Sequence, residues 1–320
     1  MHARVSVIAC LWLALACVAA NAQTWPAKPV TIVVGSQAGS GIDSIARFVA
    51  EGLRERTGRS FIVENRPGAV GNLAAQAVAR AAPDGYTAFF GATSTHIFNP
   101  ILFRNPGFDP VKDFQPVTTL LATGGVLLVN TQMPVKSVAE LSAYLKANPG
   151  RFAYASGNQF GRVLAEWYKQ IIGFDAVHVP YNSVPQAIND MLGGRIQFMF
   201  ADTSFGMPMA RAGKVRALAV TAPQRISGAP EMPTMMEAGV ENFEEFGWIA
   251  LFFPARTPMD ITRRLAELCN AVMTTDKARE YLRGLGADPL PGSPESLLKS
   301  IIDERAKWEP IVRKAGIEPE

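Results

Sequence analysis

From Val30 onward the chain alternates, almost without interruption, between short apolar runs and longer stretches whose apolar residues recur every three or four positions. The runs cover 31–34, 61–63, 87–90, 126–129, 152–154, 176–179, 196–200, 216–220 and 247–253. They are too short for core helices and read as strands. Between most of them the period lengthens: Ile42, Ile45, Val49 and Leu53 share one helical face, as do Val138, Leu141 and Leu145, and Leu164, Tyr168 and Ile171. A helix between two strands carries the chain back to start the next strand in the same direction. The chain therefore reads as α/β with mainly parallel sheets.

With 320 residues the chain has room for about two such domains. The turn-rich stretch 105–116 and the Gly124-Gly125 pair precede a fresh strand, and 230–246 precedes another, so two crossings are expected. That makes residues 23–123 with 249–320 one domain and 124–248 an inserted second. Three C-terminal helices, at 258–274, 276–285 and 294–315, are expected to return and cover the first sheet. Lys and Arg number 31 against 28 Asp and Glu, a net charge of +3, and no basic run occurs, so no nucleic-acid partner is expected.

The first residues carry one charge, Arg4, then an apolar stretch from Val5 to Ala20 and the small-x-small site Ala20-Asn21-Ala22. This is the form of a cleavable export signal, residues 1–22, with cleavage after Ala22 and a periplasmic product. Lipidation at Cys17 competes with it, but Ala14 stands where such signals prefer Leu. Cleavage leaves Cys269 as the remaining cysteine, so no intrachain disulfide is expected. On the apolar face of Ile261, Leu265, Leu268 and Val272, Cys269 reads as a small buried thiol.

In open α/β sheets, ligands bind where strand ends feed helix N-termini, because unpaired backbone N–H groups point outward there. The loop Gly35-Ser36-Gln37-Ala38-Gly39-Ser40-Gly41-Ile42-Asp43 has that placement. Gly39-x-Gly41-x-x-Ser44, with Glu64 about twenty residues on, imitates a dinucleotide fingerprint, so an oxidoreductase is one reading. Ser44 replaces its third glycine, and an exported chain has no supply of nicotinamide cofactor. The sequence has no Gly-x-Ser-x-Gly, His-Glu-x-x-His or Gly-Lys-Ser/Thr motif, and after cleavage His96 and His178 are its histidines. No cofactor, metal or catalytic residue is expected. Polar, glycine-rich loops without a nucleophile and base suit a receptor that closes around a small molecule.

Several motifs run through the chain in a fixed order: Trp25-Pro26-x-Lys28-Pro29, Val63-Glu64-Asn65-Arg66-Pro67-Gly68-Ala69-x-Gly71-Asn72, Ala82-Pro83-Asp84-Gly85-Tyr86, Val179-Pro180-Tyr181, Gly213-Lys214-Val215-Arg216-Ala217-Leu218-Ala219-Val220 and Pro233-Thr234-x-x-Glu237-Ala238-Gly239. In this order they resemble the periplasmic receptors of tripartite tricarboxylate transporters, the Bug proteins. The resemblance implies a two-domain Venus-flytrap fold that captures a small carboxylate, with a dicarboxylate the first expectation. It also implies integral-membrane permease subunits as partners, a monomeric receptor and no enzymatic activity. A sensor subunit presenting the same solute to a signalling kinase stays open beside it.

In that family the loops matching 35–43 and 91–99 hold one carboxylate through backbone and hydroxyl groups. This implies Ser36, Ser40, Thr93 and Thr95 as ligand-binding residues, with Gln37, Gly39, Asp43, Gly71 and Ser94 beside them. From the second domain come Ser156, Gly157, Asn158, Tyr181, Asn182 and Asp202. The first loop departs from the usual Pro-Phe-x-x-Gly-Gly, which removes an aromatic wall and adds hydroxyls and an amide. The loop after Tyr154 also departs, reading Asn158-Gln159-Phe160-Gly161-Arg162. Arg162 at a helix start suits a bidentate carboxylate contact or a solvated surface position. Phe160 offers a flat face to a ligand or packs under the loop. Asp43, Arg66 and His96 have structural readings too, as loop-fixing groups.

Overall fold

The strand β1 (Val30–Val34) is buried except at Thr31, as the central strand of a parallel trio must be. In the computed structural model, which describes residues 25–314 and 317–319, it pairs in parallel with β2 (Phe61–Asn65) and β3 (Thr87–Ala92). The expected export signal and its cleavage point lie outside the described residues. The crossover helix α1 (Gly41–Thr57) begins where the Ser40 hydroxyl accepts the Asp43 N–H, and ends at Gly58 in the left-handed conformation. It buries Ile45, Ala46, Val49 and Leu53. A short turn (Ala69–Gly71) leads into α2 (Asn72–Ala79), and Ser94–Phe98 winds into α3 (Asn99–Leu102).

The second half repeats the plan. After α4 (Val138–Ala147), β5 (Ala153–Ser156) pairs in parallel with β6 (Val177–Pro180) and β7 (Phe198–Asp202). The helices α5 (Gln159–Ile172) and α6 (Val184–Leu192) are the crossovers, and α7 (Thr203–Arg211) leads to β8 (Arg216–Val220). In α5 the buried face is Val163, Leu164 and Tyr168, while Ile171, expected to share it, is 39% exposed in the last turn.

The two parallel trios meet on β4 (Phe114–Val129). Its first part pairs with β9 (Phe246–Pro254) and with β10 (Ala287–Pro289), its last five residues with β7 and β8, all antiparallel. The sheet is therefore mixed, and the run at 126–129 is the end of a 16-residue strand, not a fresh one. Gly124 and Gly125 do not break it. The Gly125 N–H donates to Thr221 Oγ1 at 2.8 Å, and a Cβ there would lie 2.6 Å from Leu164 Cδ1, so close approach requires the glycine. The three-residue β10 carries no readable period.

The helix α8 (Met259–Met273) packs Val272 against Gly52 of α1, and Cys269 lies fully buried, its thiol pushed well up by that burial. In α9 (Asp276–Leu285), Tyr281 stacks on Phe48 with ring centres 4.3 Å apart. The last helix, α10 (Pro294–Lys314), does more than cover the first sheet: Trp308 is wedged edge-on between Phe98 of one half and Trp167 of the other, at 5.1 and 5.4 Å. Among the described residues no helix is long and apolar enough to cross a membrane.

Candidate functional site

The carboxyl ends of β1 and β3 face those of β5, β6 and β7 across a cavity of about 80 Å³. Its first wall consists of the loop after β1, the Val70-Gly71 turn and the Thr93–Thr95 turn. Asp43 fixes the first of these from behind: its buried carboxylate accepts from Gly39 N–H at 2.9 Å, Arg47 Nε at 3.1 Å and Asn65 Nδ2 at 2.9 Å. Burial alone would raise this carboxyl, but the hydrogen bonds from Arg47, Gly39 and Asn65 outweigh it and hold the group below its usual range. Asn65 also donates to Ser36 O at 3.1 Å. The first two segments touch backbone to backbone, since a Cβ on Gly35 would lie 2.8 Å from Gly71 Cα.

The third turn is tied by its own hydroxyls. Thr95 Oγ1 accepts Ala92 N–H at 3.1 Å and donates to Ala92 O at 2.9 Å, while Thr93 Oγ1 accepts Trp248 N–H at 2.8 Å. With that Thr95 proton committed, His96 donates to Thr95 Oγ1 through Nδ1–H, at 3.1 Å. His96 is fully buried and stacked on Phe252 at 3.8 Å, and burial pushes its pKa down to about 3. It is thus a neutral, loop-fixing group.

The second wall is formed by three helix starts. Asn158 caps α5, accepting Gly161 N–H at 2.8 Å, and its amide donates to Asp202 Oδ2 at 2.8 Å. Burial pushes the Asp202 carboxyl up, against the lowering effect of the Asn158 bond. Gly157 lets this loop sit on the start of α6, because a Cβ there would lie 2.3 Å from Val184 N. Asn182 and Ser204 complete the polar lining.

Of the residues expected in the site, Ser36, Ser40, Gly71, Thr93, Ser94, Thr95, Gly157, Asn158, Phe160, Asn182 and Asp202 line this cavity. Phe160 combines both of its readings, facing the cavity while only 2% exposed and set against Phe98. Six others do not line it. Gly39 and Asp43 form the support just described. Ser156 Oγ is 2.7 Å from His178 Nε2, and Tyr181 donates to Asp190 at 2.7 Å. Gln37 sits on the lip, where its Oε1 accepts from Ser183 Oγ of the opposite wall at 3.1 Å. Arg162 is half-buried on α5 beside Tyr154, where its charge opposes the upward push of burial on that phenol. It makes no part of the cavity lining.

Sequence reasoning missed the floor, Thr123 of β4 with Gly247 and Trp248 of β9, and, on the second wall, Ser204 and Phe205 beside Asp202. The only signal for the floor was the double crossing, which places Thr123 beside Gly124 and Trp248 beside Gly247. Glu64 pairs with Arg66 at 2.5 Å, and neither lines the cavity, so the imitated dinucleotide fingerprint is not assembled.

The profile described as "Tripartite tricarboxylate transporter family receptor" matches residues 45–317. A UPF0065 protein of Bordetella bronchiseptica is 31% identical over 317 residues, covering 99% of this chain and 94% of that one. Among solved structures, the periplasmic binding protein BugD superposes with a TM-score of 0.88 at 30% identity, over 92% of this chain and all of its own. R. palustris Rpa4515 with adipate gives 0.90 at 34%, over 92% of this chain and 100% of that chain. MatC from Rhodopseudomonas palustris with bound malate gives 0.85 at 30%, over 90% and 100%. The chain belongs to the tripartite tricarboxylate transporter receptor family and has its periplasmic binding protein fold.

Proposed function

We propose that this protein captures a small organic carboxylate in the periplasm and delivers it to integral-membrane permease subunits. The observation that carries this reading is the cavity's chemistry. Helix starts, backbone N–H groups and hydroxyls converge on it, and no Lys, Arg or His is among its described lining residues. Such a set binds an anion by fixed dipoles, each helix start contributing about half a positive charge. It supplies no nucleophile with an adjacent base, so it binds without transforming. The adipate and malate bound in Rpa4515 and MatC support a carboxylate of two polar ends.

Residues 23–123 with 249–320 and residues 124–248 act as the two closing units in this reading, turning about Gly124-Gly125 and Glu245–Gly247. Closure lets a permease tell loaded receptor from empty, because ligand shifts the equilibrium only by its preference for the closed form. A thermal-shift panel on residues 23–320, with aliphatic and aromatic carboxylates and NAD, tests it. Ligand at a hundredfold excess over Kd adds about 2.7 kcal/mol, a shift of a few degrees. A shift confined to one carboxylate class is expected. A shift with NAD alone, or with no acid, sinks the reading.

A further inference from the structure

Among the described residues lining the cavity, Asp202 alone carries a formal charge. That charge sits on the wall opposite the loop after β1, at the start of α7, where its side chain caps no helix N–H. The first wall has no counterpart among the described lining residues, and the Asp43 carboxylate behind it is paired with Arg47 at 3.0 Å. On the second wall three helix starts contribute about half a positive charge each, and Asp202 cancels most of that. Beside its own backbone N–H, its donor is the Asn158 amide, whose carbonyl is committed to Gly161 N–H. An ionised carboxylate has about four acceptor positions, so the cavity side of Asp202 still calls for donors.

From this asymmetry, and resting on the receptor reading above, we propose that the ligand is a carboxylate whose far end is a hydrogen-bond donor, an ammonium or a hydroxyl, held by Asp202. Its carboxylate takes the Ser36, Ser40 and Thr93–Thr95 wall. A dicarboxylate enters the same site only with one proton shared between its far carboxyl and Asp202. The upward push of burial on the Asp202 carboxyl agrees with that proton being available. Aspartate on this wall thus sets which carboxylates are accepted.

Calorimetry on residues 23–320 tests this with matched four- and six-carbon sets: the dicarboxylate, the ω-amino acid, the ω-hydroxy acid and the plain acid. At about pH 8 the amino or hydroxy acid is expected to bind at least tenfold more tightly than the dicarboxylate. Lowering the pH to about 5.5 should strengthen dicarboxylate binding at least tenfold, with proton uptake, and leave the ω-amino acid little changed. Asp202→Asn should erase both differences, while the wild-type pH dependence stands as a test that needs no variant. A dicarboxylate that binds best at pH 8 without taking up a proton overturns the proposal and leaves the receptor reading intact. Absence of binding by every acid overturns both.

Discussion

The two walls of the cleft are built on the same strand-loop-helix plan and do different work. The polar groups of the first wall are backbone and hydroxyl, fastened from behind by charged and aromatic groups that do not line the cavity: Asp43 with Arg47 and Asn65, and neutral His96 against Phe252. The second presents its polar side chains directly, with Asn158 and Asp202 hydrogen-bonded to each other in the lining. A wall of fixed dipoles recognises an anion of any shape, whereas a wall of side chains discriminates. In the proposed reading, anion binding and selectivity thus fall on opposite sides of one cavity.

The largest expected effect comes from breaking the second wall at its seam. Gly157→Ala drives a methyl group to within 2.3 Å of Val184 N and 2.5 Å of its Cα, and backbone cannot swing aside as a side chain does. We expect a loss of about 3 kcal/mol, the upper end for overpacking, and no ligand binding. Gly39→Ala in the first wall meets open space and bears only the strain of a φ of +81°, about 1 kcal/mol. Denaturant melts of the two variants should differ accordingly; equal losses would show that the seam at Gly157 has no special tightness.

The floor beneath the first wall is pH-sensitive. Trp248 Nε1 donates to both oxygens of Glu304, at 2.8 and 3.0 Å, and burial pushes that carboxyl up to about 7. Glu245 and Asp303 push the same way, while Lys307 opposes them. Because the folded pKa lies above the unfolded value of 4.5, the folded state binds the extra proton between the two. The stability that Glu304 contributes is therefore full below pH 4.5 and is lost as pH rises through about 7, by about 3 kcal/mol. Glu304→Gln keeps an acceptor for Trp248 and should flatten this slope. A Tm-pH profile that is unchanged in the variant would place the titration elsewhere.

The lip contact gives a smaller effect. Ser183 stands at the N-cap of α6 with extended backbone, yet its hydroxyl makes no cap bond and reaches Gln37 on the other wall. Ser183→Ala should therefore leave global stability nearly intact and weaken closure by about 1 kcal/mol, the net value of one hydrogen bond. Ligand affinity would fall about fivefold, matched by Gln37→Ala and not deepened in the double variant. Additive losses would mean the two side chains act separately.

The sequence was most legible where local period and long-range position coincide. Each of the nine apolar runs overlaps a strand, and Ser40, Thr93, Asn158 and Asp202, which the family resemblance implies as binders, stand at or just after strand ends and line the cavity. The first part of β4 was hidden by Pro116 and by the turn residues ahead of it, and β10 by its brevity. Trp248 and Thr123 went unseen for a different reason: inside a strand, a residue facing a cavity and one facing the core show the same alternation. Which strand end meets which across the cleft is a tertiary fact, and Gln37 with Ser183 shows how far apart in sequence its partners lie.

Arg162 puts reasoning from a helix start alone to the test. Proximity to the N-terminus of α5 fixes its distance from the cavity and not its direction. Successive helical residues turn by about 100°, so Arg162 points about 200° away from Phe160, which lines the cavity. The charge acts on Tyr154, behind the wall. A buried charge pair with the ligand would be worth about 2 kcal/mol, a thirtyfold loss in Arg162→Ala. With the side chain behind the wall we expect Kd within about twofold of wild type, the range of substitutions outside a binding site. Calorimetry separates the two outcomes, and a tenfold loss would return Arg162 to the site and give the second wall a cation to set against Asp202.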